Sequence, residues 1–446
     1  MSLGYGVVQL DVTIVNTALN SIGTTIGGGV SALQWIVSAY TIAFAAIILT
    51  AGALGDRIGA KRVFIAGFAI FTGASLACAV APNLVVLIAA RAIQGLGAAI
   101  LVPNSLALLN HAFPEEKERG RAVAIWAAGA SLALTAGPLA GGILSATVGW
   151  RSIFLVNLPI GLGGLCLASR YTAETPRAPG REIDLPGQAA SILALGLLAS
   201  AIIEAGELGW LNYWVLLGLA TAAVFIGVFV LRERYAKQPM LPLDLFSHRT
   251  FALSTAIGLL INIAFYGLIF VLSFYFQRIE KFSPFVTGLA FFPMMGVVLP
   301  ANLIAPAVSE RIGAPLTIAI GSGVAAIGAL ALLVVMRGTS FWAICLQLLA
   351  LGGGLGLLVP PLTSMLLGSV NKAHSGVASG VLNSARQTGS VIGVALFGSL
   401  IAKNSSLLPG TRLSLIISAG LLLVSSAVIL GARKRTKNNE HLQRKK

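Results

Sequence analysis

Fourteen runs of about 20 apolar residues, each long enough to cross a bilayer, follow one another along the chain with short connections between most of them. They fall at 3–22, 33–54, 63–82, 84–108, 121–146, 152–170, 186–206, 211–231, 250–275, 285–308, 314–336, 340–367, 376–401 and 412–432. In lipid every backbone N–H and C=O must find its partner inside the protein, so serial runs of this length read as transmembrane helices. The expected class is therefore an all-α integral membrane protein with fourteen transmembrane helices. Span 1 is the shortest on its leading side, with ten residues before Asp11.

Composition closes off the alternatives. Hydrophobic residues make up 57% of the chain and charged residues only 10%, against about 25% charged in soluble domains. A disordered chain and a secreted disulfide scaffold are excluded. The net charge of +15 sits in short clusters between apolar runs, which is the pattern of membrane orientation and not of nucleic-acid binding. Cys78, Cys166 and Cys345 are scattered inside apolar runs and read as small hydrophobes. No basic region precedes the first apolar run, so no removable leader is expected.

Orientation follows from Lys and Arg. With the N-terminus in the cytoplasm, inward segments hold 22 of the 30 basic residues and outward segments hold six, while Arg91 and Arg386 lie within spans. Both termini are then cytoplasmic. The chain also repeats: Arg57-Ile58-Gly59-Ala60 recurs as Arg311-Ile312-Gly313-Ala314, and Leu101-Val102-Pro103 as Leu358-Val359-Pro360. Both repeats advance by eight helices. The expected organisation is a six-helix bundle over 1–170, two inserted helices over 171–240, a second six-helix bundle over 241–432, and a basic cytoplasmic tail at 433–446. Parallel halves of this kind place a substrate site at their interface.

Of fifteen acidic residues, only Asp11 falls near the middle of a span, and an ionisable group there is functional by default. Burial disfavours a charged carboxylate and a nearby cation favours it, so such a group can load and release a proton; a structural hydrogen-bonding role is the alternative. Gln9, Thr13 and Asn16 share roughly one helical face and Asp11 lies on another. Arg91 in span 4, with Gln94 following, needs a buried partner; it can reach Asp11, or simply bond backbone carbonyls. In span 5 small residues recur at Gly129, Ala133, Gly137 and Gly141, with Pro138 and Gly142 among them, which describes a close-packed, bent pivot. Gly52 to Arg62 joins spans 2 and 3, where Gly55 and Gly59 allow a tight turn and Asp56 can meet a helix end or a basic group; this reads as a conformational latch. Substrate-pocket candidates are Asn16, Gln94, Glu204, Arg386 and Gln387, with Glu204 and Glu207 expected at the wet end of span 7. Phe265, Tyr266, Phe274, Tyr275 and Phe276 either line a pocket or pack. His111, His248, His374 and His441 lie in or near loops, so no metal site is expected. The phosphate-loop pattern is missing, so ATP is not the expected energy source.

These residues resemble the 14-helix drug:proton antiporter branch of the major facilitator superfamily. Leu10-Asp11-Val12-Thr13-Ile14-Val15-Asn16-Thr17-Ala18-Leu19 is similar to its first-helix motif, Gly52–Arg62 to its loop 2–3 motif, and Arg91-Ala92-Ile93-Gln94-Gly95-Leu96-Gly97 to its fourth-helix motif. Gly137-Pro138-Leu139-Ala140-Gly141-Gly142 resembles the fifth-helix antiporter motif. Trp150-Arg151 with Phe154, Asn157 and Pro159 resembles the entry to helix 6, and Gly376–Gly380 followed by Arg386-Gln387 the second-half signature. The chain departs from the pattern at Asn20, where proline is usual, at Ala60, where a basic residue is usual, and at Ala124 and Ala133, where glycine is usual.

The resemblance implies a proton-driven exporter of hydrophobic or cationic small molecules working by alternating access. It would need no cofactor beyond the proton gradient, bind no nucleic acid, act as a monomer, and reside in a bacterial cytoplasmic (inner) membrane. By the same resemblance Asp11 is the proton-linked acid and Arg91 its partner. Gly52, Asp56, Arg57, Gly59 and Lys61 form the gating loop, and Gly137, Pro138, Gly141 and Gly142 bias the protein toward antiport. A dedicated metabolite or antibiotic exporter, or an importer, is the second reading. A membrane receptor or enzyme is the third, though no nucleophile with its base is visible.

Overall fold

The computed structural model describes residues 1–446 apart from 178–183, 237, 336–340, 372–374, 403–406 and 444–446. Arg181, Lys237, Arg337, Lys372, His374, Lys403, Arg444, Lys445 and Lys446, counted above for orientation or as loop residues, lie outside the described residues.

Among the described residues, fourteen long helices carry the chain back and forth. They are α1 (Ser2–Ile26), α2 (Val30–Ile58), α3 (Ala60–Ala79), α4 (Leu84–Ala112), α5 (Glu116–Thr147), α6 (Ser152–Tyr171), α7 (Leu185–Leu208), α8 (Tyr213–Tyr235), α9 (Arg249–Phe274), α10 (Pro284–Ile312), α11 (Ala314–Val335), α12 (Phe341–Leu367), α13 (Ser375–Leu400) and α14 (Leu407–Gln443). At 25 residues, α1 spans about 37 Å at ~1.5 Å per residue, so its short leading side does not leave it short of a bilayer. Helix α9 continues through a π-helical turn at Tyr275–Ile279.

Twelve of the fourteen carry an apolar window typical of a bilayer-crossing helix. The exceptions, α1 and α13, are interrupted by Gln9, Asp11, Thr13, Asn16 and Thr17, and by Asn383, Ser384, Arg386, Gln387 and Ser390. Both run through the interior, where helices and a cavity, not lipid, meet these polar groups.

The packing follows the repeat seen in the sequence. Helix α1 packs on α5, α2 on α4, α3 on α4 and α3 on α6; eight helices later α9 packs on α13, α10 on α12, α11 on α12 and α11 on α14. The halves meet through two equivalent seams, α5 against α10 and α2 against α13. The pair α7–α8 packs beside the second seam, through α2 and α13. The duplicated tetrapeptides have the same geometry. Gly59 (φ 104°) and Gly313 (φ 89°) each end a helix, their N–H groups bonding the carbonyls of Gly55 and Ser309. Such a φ favours glycine, which gives the recurrence of this residue a backbone cause. Pro103 and Pro360 both lie inside their helices.

Closure is tightest at the end remote from Met1. There Gln34 donates to the carbonyls of Val394 (3.0 Å) and Ala395 (2.9 Å), joining α2 to α13. Ser273 donates to the Asn16 carbonyl (2.6 Å), Gln277 to the Thr17 carbonyl (3.1 Å), and Arg278 Nε to Asn20 Oδ1 (3.0 Å), joining α9 to α1. Helices α5 and α10 touch backbone to backbone: a Cβ on Gly142 would stand 2.5 Å from the Pro284 carbonyl oxygen, and one on Gly288 2.5 Å from that of Pro138.

Candidate functional site

Asp11 is fully buried at the centre of α1 and points into the bundle formed with α2, α3, α4 and α6. Its carboxylate accepts three hydrogen bonds. Arg91 Nη1 donates to Oδ2 at 2.5 Å, Gln94 Nε2 to Oδ1 at 2.8 Å, and Asn157 Nδ2 to Oδ1 at 2.9 Å. Three donors and no acceptor suit an ionised acid. Arg91, 1% exposed, is held on every side. Its Nε donates to the Ile36 carbonyl (3.0 Å), Nη1 also donates to Gln94 Oε1 (2.7 Å), and its guanidinium lies 4.2 Å from the centre of the Tyr40 ring. Gln94 and Asn157 both reach Ser75 Oγ on α3. The pair is therefore shared among five helices, and any shift of α1 against α4 or α6 changes the number of donors facing Asp11.

Glycine sets how closely these helices approach. Gly95 lies against the Tyr40 backbone and Gly97 against that of Phe71, so α4 is drawn onto α2 and α3 around Arg91. On the other side of α1, Thr13 donates to the Leu134 carbonyl of α5 (3.1 Å). Gly137 and Gly141 face Thr13, Ile14 and Thr17 there, while Gly142 and Pro138 face α10. The small-residue face of α5 is thus sandwiched between α1 of one half and α10 of the other.

The loop 2–3 segment differs from expectation. Gly52, Gly55, Asp56 and Arg57 all lie within α2, and the turn is confined to Gly59. Gly55 serves close packing, since a Cβ there would collide with Asn104, whose Nδ2 donates to the Ala51 carbonyl (3.1 Å). The group that meets the exposed start of α3 is Glu174, from beyond α6: its Oε1 accepts from the Lys61 N–H (2.9 Å), with Arg62 Nε 3.7 Å from Oε2. Thr175 Oγ1 accepts from the Ala60 N–H (2.9 Å), and Lys61 Nζ donates to the Ser169 carbonyl (3.0 Å).

A cavity of about 170 Å³ lies between the halves, lined from α1 by Tyr5 and Gln9 and from α13 by Asn383, Arg386 and Gln387. Helices α5, α9, α10 and α12 complete it. On each of α1, α5, α9, α10 and α13 the lining positions lie on the Met1 side of the inter-half contacts described above, which roof the cavity. A second, apolar cavity of about 200 Å³ lies among α2, α7, α8, α9 and α13.

The five pocket candidates separate. Arg386 and Gln387 line the central cavity. Gln94 does not; it belongs to the Asp11 cluster. The Asn16 amide turns back to the Val12 carbonyl (3.0 Å) at the α1–α9 contact. Glu204 is exposed near the end of α7, away from the cavity, and the adjacent Glu207 is exposed too. The aromatic run also divides: Phe265 and Tyr266 line the cavity, while Phe274, Tyr275 and Phe276 are buried packing. Sequence reasoning gave no site role to Asn157, which entered only through the motif at the start of helix 6, or to Ser75, Tyr40 or Glu174. A polar residue mid-helix was the available signal for the first two, but neither carries a charge to draw attention.

A serially helical chain with duplicated packing, a cavity between its halves and an ion pair buried in one of them has the architecture of a membrane transporter. A sequence profile of the Major Facilitator Superfamily matches residues 1–394, and the chain belongs to that superfamily. It is 35% identical over 402 residues to the methylenomycin A resistance protein of Bacillus subtilis, covering 90% of this chain and 86% of that one. It is 38% identical over 400 residues to the multidrug resistance protein Stp of Mycobacterium tuberculosis, covering 90% and 74%. Among solved structures, a peptide transporter POT in complex with sulfate superposes with a TM-score of 0.71 at 16% identity, over 97% of this chain and 94% of that one; this likeness concerns the fold alone.

Proposed function

We propose that the protein is a secondary active transporter that exports drug-like small molecules in exchange for protons, with Asp11 as the proton carrier and Arg91 as its electrostatic partner. The observation that carries this reading is the Asp11–Arg91 pair, sealed from lipid and solvent and shared among five helices. The drug and antibiotic resistance relatives, similar over 90% of the chain, support the direction of transport.

In the ionised state Asp11 holds Arg91, Gln94 and Asn157 around α1. A proton on Asp11 removes the charge that Arg91 answers. Arg91 then keeps the Ile36 carbonyl, Gln94 and the Tyr40 and Phe154 rings. The balance between α1 and its neighbours changes, and α1 also carries the Asn16, Thr17 and Asn20 contacts to the other half. Protonation at one site is thus mechanically linked to the seam that opens and closes. The gating loop acts at the Met1 end, through Gly59 and the Glu174 contact, and the glycines of α5 let it roll between α1 and α10.

The halves move as two six-helix units, 1–170 and 241–432, with the α7–α8 pair beside the α2–α13 seam. The Met1 end is cytoplasmic, in accord with the basic clusters, so the cavity is placed to receive substrate from inside a bacterial cell across its cytoplasmic membrane. The protein works as a monomer, without a cofactor.

The test is efflux from cells expressing the protein, screened across antibiotics and dyes. Asp11→Asn, at matched membrane levels, is expected to abolish export of whatever the intact chain exports. Unchanged export by that variant removes Asp11 from the mechanism.

A further inference from the structure

Among the described residues, two arginines stand deep between the helices, and one of them, Arg91, is neutralised. Arg91 is paired with Asp11 behind the face of α1 that bounds the central cavity. Arg386 is in the cavity itself, half-buried, with Nη2 donating to Thr363 Oγ1 at 2.9 Å. It makes no ion pair with any described acidic residue, and the cavity lining contains no Asp or Glu. A desolvated guanidinium without a counter-charge is costly, and its fork fits a carboxylate. Gln9, Asn262, Asn302, Asn383 and Gln387 also line the cavity, so the wall around this lone cation is polar but brings no negative charge of its own.

We propose that the central cavity binds compact organic monoanions with an apolar body, and that Arg386 recognises their carboxylate. This rests on the exporter reading and narrows its cargo. Asp11, the only acid at this depth among the described residues, is walled off and already answered by Arg91, so the field in the cavity is positive. A cationic ligand would meet repulsion without compensation, whereas an anion completes the pair. Ile261, Phe265 and Val298 supply the apolar wall. The volume of about 170 Å³ exceeds only slightly the ~150 Å³ cavity that holds a benzene molecule. Charge movement follows: a proton entering and an anion leaving both carry positive charge inward, so the cycle is electrogenic. Exchange of one proton for one monocation is electroneutral.

Purified full-length protein is titrated near neutral pH with benzoate, benzamide and benzamidine, three probes of one shape that are negative, neutral and positive. Binding is read by calorimetry, and by thermal melting with and without ligand. The intact protein is expected to bind benzoate roughly tenfold or more tighter than the other two, the order of a charged hydrogen bond. Arg386→Gln is expected to erase that preference, and Arg386→Lys to retain part of it, both melting near the intact protein without ligand. A residue with only a packing role would not change the ranking by charge. Should Arg386→Gln not fold, the ranking on the intact protein and on Arg386→Lys still decides. Absence of benzoate binding, benzamidine binding as tight as benzoate, or an unchanged preference in Arg386→Gln overturns the proposal. Export of a cation that is lost in Asp11→Asn would uphold the proton-driven exporter and overturn the anion site. Benzoate binding lost in Arg386→Gln, without any proton-linked flux, would do the reverse.

Discussion

Arg91 fills three roles with one guanidinium: it pairs with Asp11, donates to the Ile36 carbonyl and donates to Gln94. A lysine ammonium keeps the charge but not the planar fork, so Arg91→Lys is expected to lower export about tenfold or more at equal membrane levels. Removing one partner of a buried pair leaves the other uncompensated, at about 3–5 kcal/mol. Asp11→Asn and Arg91→Gln should therefore each lower the melting temperature, and the double variant should recover part of the loss; strict additivity would show that the pair is not coupled. Asp11 and Arg91 were legible in the sequence because charge inside an apolar run is conspicuous. Asn157 and Ser75 were not, because a neutral polar residue in a helix has many uses and only the fold shows which group it faces.

At the scale of elements, glycine positions carry the argument. Gly59 has φ 104°, and a Cβ there would lie 2.6 Å from the Glu174 carboxyl. Gly59→Ala is expected to cost about 1–3 kcal/mol, visible as a lower melting temperature, and to weaken the contact between Glu174 and the start of α3. Gly288 is one of the points where α10 touches the α5 backbone. Gly288→Leu should wedge the two apart and shift the protein away from the roofed state. A cysteine replacing Ser273, 1% exposed here, should then react faster with a membrane-impermeant maleimide; an unchanged rate would show that this contact does not hold the roof. The sequence located all fourteen helices, since apolar length is a strong local signal. It read a turn from Gly52 onward where α2 runs on to Ile58, because glycines that permit a turn and glycines that permit close packing look alike until the neighbour, here Asn104, is known.

For the whole molecule, helix α1 links the Asp11–Arg91 pair in one half, the proposed proton site, to a cavity shared by both. Helix α1 presents Asp11 to its own bundle, Tyr5 and Gln9 to the cavity, and Asn16, Thr17 and Asn20 to α9. The superfamily was legible from six short motifs in order. The lining of the cavity was not, because it draws on six helices and depends on which way each one is rotated. The most direct test of proton exchange through Asp11 uses purified protein in liposomes containing a pH-sensitive dye and a substrate identified in the efflux screen. Outward substrate movement is expected to draw protons inward in the intact protein, and Asp11→Asn is expected to show neither proton-driven substrate movement nor substrate-driven proton movement. Substrate-driven proton flux that persists in Asp11→Asn would contradict the account.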